Sequence, residues 1–166
     1  MIDPITLYLL EQSKESIKIE DMNLLDYKKL IPILTHFGTE SKGDTYFNFK
    51  EEGVKEWMAG FRKTEHKALV AKDNNIIVGL IISKVMSKGF GKVSVLFVEK
   101  EYRGSGLGAQ LFNQSISWLK SKGCKVMRVV AMGQNPRAIA FYKKMGFIEE
   151  RILMRDKASK GVTLSH

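Results

Sequence analysis

The sequence predicts a mixed α/β layer domain in which an antiparallel β-meander feeds a strand–helix unit. Three observations carry this. Two β-rich runs, 67-KALVAK-72 and 76-IIVGLIISKVM-86, flank the polar turn 73-DNN-75 and read as a hairpin. A third run, 93-VSVLFV-98, follows the glycine-rich turn 87-SKGFGK-92. Apolar residues at helical spacing then begin at Leu107, directly after another glycine-rich loop.

Taken in order, 1-MIDPITLYLLEQSKES-16 holds a short apolar patch and reads as an N-terminal helical extension. It lacks a basic leader and a small-residue cleavage site, so it is not expected to be a signal peptide. The alternating 17-IKIE-20 reads as a strand. In 23-NLLDYKKLIPILTHFG-38 the apolar spacing is helical, Pro32 is expected to kink or split the helix, and Gly38 to stop it. A polar loop over 38–48 contains Glu40 and Asp44. A second helix is expected across 50–63, with Val54, Trp57, Met58 and Phe61 inward. After the meander come a helix from Leu107 to about Lys122, a strand over 125–132, a helix over 136–145 and a last strand over 147–155. Residues 156–166 read as a tail, and the whole of 1–166 as one domain.

Composition narrows the classes. Hydrophobic residues make up 44% and charged residues 27%, an ordinary globular mixture. No apolar run approaches the roughly 18 residues of a membrane helix, so no membrane partner is expected. Cys124 is the only cysteine, which excludes an internal disulfide and suits a reducing cytoplasm. His36, His66 and His166 form no metal-ligand spacing, so no metal is expected. The net charge of +9 favours an anionic partner. The cations are scattered, however, as in 27-YKK-29, 62-RK-63 and 143-KK-144, and no helix carries a continuous basic stripe. A solvated surface is expected rather than a nucleic-acid face.

The loop 103-RGSGLGAQLF-112 follows a strand and opens a helix. A helix N-terminus leaves its first amide N–H groups unpaired and carries about half a positive charge. Glycines at 104, 106 and 108 let the backbone curl so that successive N–H groups face one concavity, which suits a phosphate. A flexible turn before a helix is the plainer reading. A P-loop is excluded, because no lysine–hydroxyl pair follows. The dinucleotide fingerprint is formally met by Gly104, Gly106 and Ala109, yet no acid ends the next strand, 129-VVAMGQN-135. In 135-NPRAIAFYKKMGF-147, Asn135 suits an N-cap, Pro136 the first helical position and Gly146 the residue past the end. Asn135 and Tyr142 fall on one face two turns apart.

Together, 96-LFVEKEYRGSGLGAQL-111 and 135-NPRAIAFYKKMGF-147 resemble the two signatures of the GNAT superfamily of acyl-CoA-dependent N-acyltransferases, over about residues 17–155. The resemblance implies a mostly antiparallel central sheet flanked by helices, with strands splayed at the cofactor site. It implies acetyl-CoA as co-substrate, held at its pyrophosphate by Arg103, Gly104, Ser105, Gly106, Leu107 and Gly108. It further implies that Leu96, Phe97 and Val98 meet the pantetheine through main-chain groups. Asn135 resembles the family's cofactor-contacting asparagine, and Tyr142 its tyrosine that protonates the departing thiolate. Ala138 and Lys144 stand where the family often meets the cofactor. The implied reaction is direct acetyl transfer to an amine, on a small molecule or a protein, by a monomer or homodimer. A non-catalytic acyl-CoA-binding module on the same fold is the alternative.

The chemistry is consistent with that. An alkylamine is mostly protonated at neutral pH, so attack on a thioester needs a base or water chain. A strand amide such as that of Val98 suits the oxyanion. Where many relatives carry a strand carboxylate, this chain has Val93, Ser94 and Val95. Glu20, Glu40 and Asp44 are candidates for the base, which stays unassigned. Glu40 and Asp44 are also candidates for acceptor binding, and Glu99 is expected at the surface.

Overall fold

The computed structural model describes residues 3–5, 17–40, 51–61, 63–87 and 89–151. Asp44, the tail, and all but residues 3–5 of the expected opening helix lie outside them.

Strand β1 is Lys18–Asp21. The expected helix at 23–38 is split, as Pro32 predicts, but one residue earlier. A 3-10 segment, Leu24–Leu30, is capped by the Asn23 side chain, and helix α1 runs Ile31–Glu40. Pro32 occupies the first turn of α1, where its missing N–H loses no hydrogen bond. Gly38 does not end the helix, which continues to Glu40. Helix α2 is Glu51–Phe61. The hairpin strands are β2, His66–Asp73, and β3, Ile76–Ser87. Asn74 and Asn75 turn between them at φ of 47° and 70°, a left-handed conformation that asparagine tolerates. Strand β4 is Phe90–Val98, three residues longer at its start than the apolar run.

Helix α3 is Leu107–Ser121, strand β5 is Val126–Val129, and helix α4 is Pro136–Lys144. Strand β5 stops before residues 130–132, which were expected within it. Residues 147–151 form no strand, and the rest of the expected final strand lies outside the described residues.

The sheet order is β1-β2-β3-β4-β5, with β4 and β5 parallel and every other pair antiparallel. A parallel pair needs a crossover, which α3 supplies. Helices α1 and α2 bury Leu34, Val54, Met58 and Phe61 against Val70, Leu80, Ile82, Val95 and Phe97 on one face. Helix α3 buries Leu107, Leu111, Phe112 and Leu119 against Leu69, Val78, Ile81 and Val93 on the other. Val93 and Val95 are two apart in sequence yet face opposite cores. The cause is a bulge: Ile82 pairs with Val95 and Ser83 with Val93, leaving Ser94 as the extra residue. Beside it, Gly91 lets β4 approach α3 closely, since a Cβ there would stand 2.7 Å from Leu119 Cδ2.

Candidate active site

The bulge marks a fork. The last β4–β5 pair is Val93 with Val129, so β4 beyond Ser94 has no neighbour on its β5 side among the described residues. In an antiparallel pair, alternate residues turn their main-chain groups toward the partner. The Glu99 N–H donates to Val78 O at 2.9 Å across the β3–β4 pair. Phe97 therefore also faces β3, and Leu96 and Val98 turn their N–H and C=O groups into the fork. Ser94 carries a hydroxyl that is sealed from solvent and has no partner among the described residues.

The glycine loop hangs from the end of β4. A 3-10 turn over Lys100–Tyr102 is pinned by the Tyr102 hydroxyl, which donates to Asp73 Oδ2 at 2.7 Å. That hydrogen bond raises the Tyr102 pKa above the ordinary phenol value. Ser105 Oγ donates to Tyr102 O at 2.7 Å. Gly104 and Gly106 hold φ of 78° and 87°, which a side chain would strain. Gly106 caps α3 without a side chain, and the first helical bond is Gln110 N–H to Gly106 O at 3.0 Å. The amides at the start of α3 are thus left without an intrahelical acceptor. A Cβ on Gly108 would lie 3.7 Å from Val98 Cγ2 and 3.8 Å from Phe141 Cε2. The end of β4, the loop and α4 converge there.

Arg103 stands in the loop, but its guanidinium serves the protein. Its Nε donates to Val98 O at 2.7 Å and its Nη2 to Glu40 Oε2 at 2.6 Å. Arg137, in the first turn of α4, reaches the same Glu40 oxygen at 3.4 Å. Glu40 therefore ties the end of α1 to the loop and to α4. Asn135 caps α4 by accepting from Ala138 N–H at 3.0 Å. Its oxygen is thus used, and its amide N–H groups are what it can offer a ligand. Tyr142 packs its ring on Phe112, Phe141 and Phe147, with centroids 5.8, 5.4 and 6.4 Å away. Phe112 lies one turn of α3 beyond Gly108, so the Tyr142 ring and the loop share one neighbourhood. Burial pushes the Tyr142 phenol up to about 12, which keeps it protonated as a donor. Lys144 is exposed at the far end of α4, about 13 Å along its axis from Asn135.

Two carboxylates stand differently from expectation. Glu20, on β1 at the opposite edge of the sheet, pairs with Lys72 of β2, and β2 and β3 stand between it and the fork strand. Glu99 is not a free surface acid: only 20% of its side chain is exposed, and its Oε1 lies 2.6 Å from His36 Nδ1 on α1. That pair joins residues 63 apart, which no local pattern reveals. Cys124 is buried in the α3 core.

The open β4 edge, the curled glycine loop and the Tyr142 phenol stand together on a mixed sheet. The sequence profile of the Acetyltransferase (GNAT) family matches residues 32–147, and the chain belongs to that family. An uncharacterized N-acetyltransferase of Methanocaldococcus jannaschii is 26% identical over 119 residues, covering 66% of this chain and 52% of that protein. N-alpha-acetyltransferase 30 of Schizosaccharomyces pombe is 30% identical over 92 residues, covering 53% of this chain and 61% of that protein. The chain thus spans about half to three fifths of the length of these relatives. Among solved structures, the fold is similar to that of the aminoglycoside acetyltransferase meta-AAC0020 from an uncultured soil metagenomic sample. The TM-score is 0.69 at 21% identity, over 91% of this chain and 98% of that one. The ribosomal-protein-alanine N-acetyltransferase of Brucella melitensis biovar Abortus 2308 gives a TM-score of 0.65 at 14% identity, over 86% and 99%.

Proposed function

We propose that this chain transfers an acetyl group from acetyl-CoA to a primary amine by direct attack in a ternary complex. The observation that carries the reading is the open β4 edge beside a glycine-curled helix start. The free amides of the 104–108 loop hold the pyrophosphate, as unpaired helix-start donors do. The main-chain groups of Leu96 and the N–H of Val98 pair with the pantetheine arm and hold the thioester in the fork, the Val98 carbonyl being taken by Arg103. A strand N–H aimed there stabilises the oxyanion as the amine nitrogen adds to the carbonyl carbon. The C–N bond forms, the C–S bond breaks, and the Tyr142 phenol passes its proton to the departing thiolate. The amine sheds its own proton to water or to a base.

The relatives' names cover α-amino, ε-amino and aminoglycoside acetylation, so they do not fix one acceptor. A non-catalytic acyl-CoA-binding module is the second reading. It is favoured by the pairing of the Glu40 carboxylate, a candidate base, with both Arg103 and Arg137.

Release of free thiol from acetyl-CoA across a broad amine panel tests the proposal. Turnover with some amines is expected. Firm CoA binding with no turnover across the panel would select the second reading. Tyr142→Phe is expected to lower kcat by about 10²-fold or more, with acetyl-CoA affinity little changed. Unchanged kcat, where chemistry limits turnover, would remove Tyr142 from the mechanism.

A further inference from the structure

The register lines up four basic residues that are far apart in sequence. His66 on β2 pairs with Lys84 on β3, Lys84 with Lys92 on β4, and Lys92 with Arg128 on β5. Directly paired residues project from the same face, so these side chains form one cross-strand row. The row lies on the face covered higher up by α1 and α2. The His66 ring and the Lys84 ammonium both meet Phe61 of α2, at 5.9 and 5.3 Å from its centroid. Like charges directly opposite one another destabilise a sheet, so such a row is costly without an anion. Only Arg128 has a carboxylate partner among the described residues: Glu150, which accepts from its Nε and Nη2 at 2.9 Å each. Lys92 is half-buried and has no carboxylate partner among the described residues. Burial, with the Lys84 ammonium next to it, holds its pKa below the usual lysine range. Beside the row opens a groove of about 370 Å³, lined by Met86, Ser87, Phe90, Gly91, Lys92 and Arg128.

The row lies one residue below the fork, because the next pair, Val93 with Val129, is the last before the strands part. The glycine loop leads into α3 on the opposite face of the sheet. A cofactor held there and an acceptor approaching from the α1–α2 face meet only through the fork.

We propose that the Lys84–Lys92–Arg128 row binds an anionic group, a phosphate or carboxylate, carried by the acceptor itself. The acceptor is then an amine bearing an anion, with the amine in the fork and the anion on the row. This rests on the transferase reading above and narrows it to a substrate class. Charge-assisted hydrogen bonds from the two lysines and the outer edge of Arg128 supply the recognition.

Matched amine pairs test this: an amino acid against its amide, and an amino-sugar phosphate against the free amino sugar. At least one anionic member is expected to show kcat/KM about tenfold or more above its neutral counterpart. That ratio is expected to collapse in Lys92→Gln and in Arg128→Gln and to survive in Lys92→Arg, with folding followed by circular dichroism. Equal rates within every pair, or a preference that survives both glutamine variants, would overturn the proposal. Inorganic phosphate provides an arm independent of turnover. It is expected to raise the Tm of the wild-type chain but not of Lys92→Gln, and to compete with the anionic amine. Lys92-dependent stabilisation by phosphate, with anionic and neutral amines turned over alike, would mean that the row holds a free anion, and the acceptor assignment falls. The same stabilisation with no amine turned over would sink the transferase reading instead. Phosphate that stabilises neither protein, with no anionic preference, rejects the row as a site altogether.

Discussion

Tyr142 keeps its proton well beyond neutral pH, and the reason is packing rather than hydrogen bonding. Three aromatic rings surround it, and burial raises its pKa from 10.0 to about 12. A phenol meant to protonate a thiolate must be neutral at the working pH, and this one is. A difference titration, wild type minus Tyr142→Phe, followed by phenolate absorbance, is expected to place the transition at about 12. A transition at the ordinary 10.0 would mean that water reaches the ring. The folded value lies above the unfolded one. The phenol therefore contributes stability that is fully present below pH 10 and is lost as the pH rises toward about 12. The residue type and its position on a helix face were legible in the sequence. The aromatic surround was legible only in part, because Phe112 comes from a different helix.

At the scale of elements, the start of α3 separates two kinds of glycine. Gly106 holds φ of 87° with no atom within 4 Å of a built Cβ, so its requirement is conformational. Gly108 is helical, and a Cβ there would make ordinary contacts at 3.7 and 3.8 Å. Gly106→Ala is expected to cost about 1–2 kcal/mol in denaturant melts, whereas Gly108→Ala is expected to cost nothing measurable. Both are expected to weaken CoA binding, the first by distorting the loop and the second by crowding the helix start. Equal stability losses would show that the left-handed cap is not what Gly106 supplies. Strand β4 carries a comparable lesson. Its apolar run announces a strand, but the bulge at Ser94 that turns Val95 to the other core is a property of the pairing with β3. Strand β5 reads as eight residues by composition and pairs over only four, Val126–Val129, since β4 leaves it after Val93.

Over the whole molecule, distant segments converge on Glu40. It joins Arg103 and Arg137, so the carboxylate that looked available as a base is already matched by two guanidinium groups. Glu40→Gln is expected to keep the ascending limb of kcat/KM against pH. It is expected to cost at most about 1 kcal/mol, because a part-exposed pair is weak. Loss of that limb would make Glu40 the missing base. The net charge of +9 likewise changes meaning with the fold: Lys84, Lys92 and Arg128, scattered along the chain, line up in one row across three strands. The sequence by itself determined the meander, the glycine loop, the capped helix that carries Tyr142, and the family these resemble. Each follows from spacing within a few residues, where turn chemistry and periodicity act. The tertiary structure alone decided where the strands part, which acids are already paired, and which cations stand side by side. Those depend on register and on contacts between residues tens of positions apart, and no local pattern encodes them.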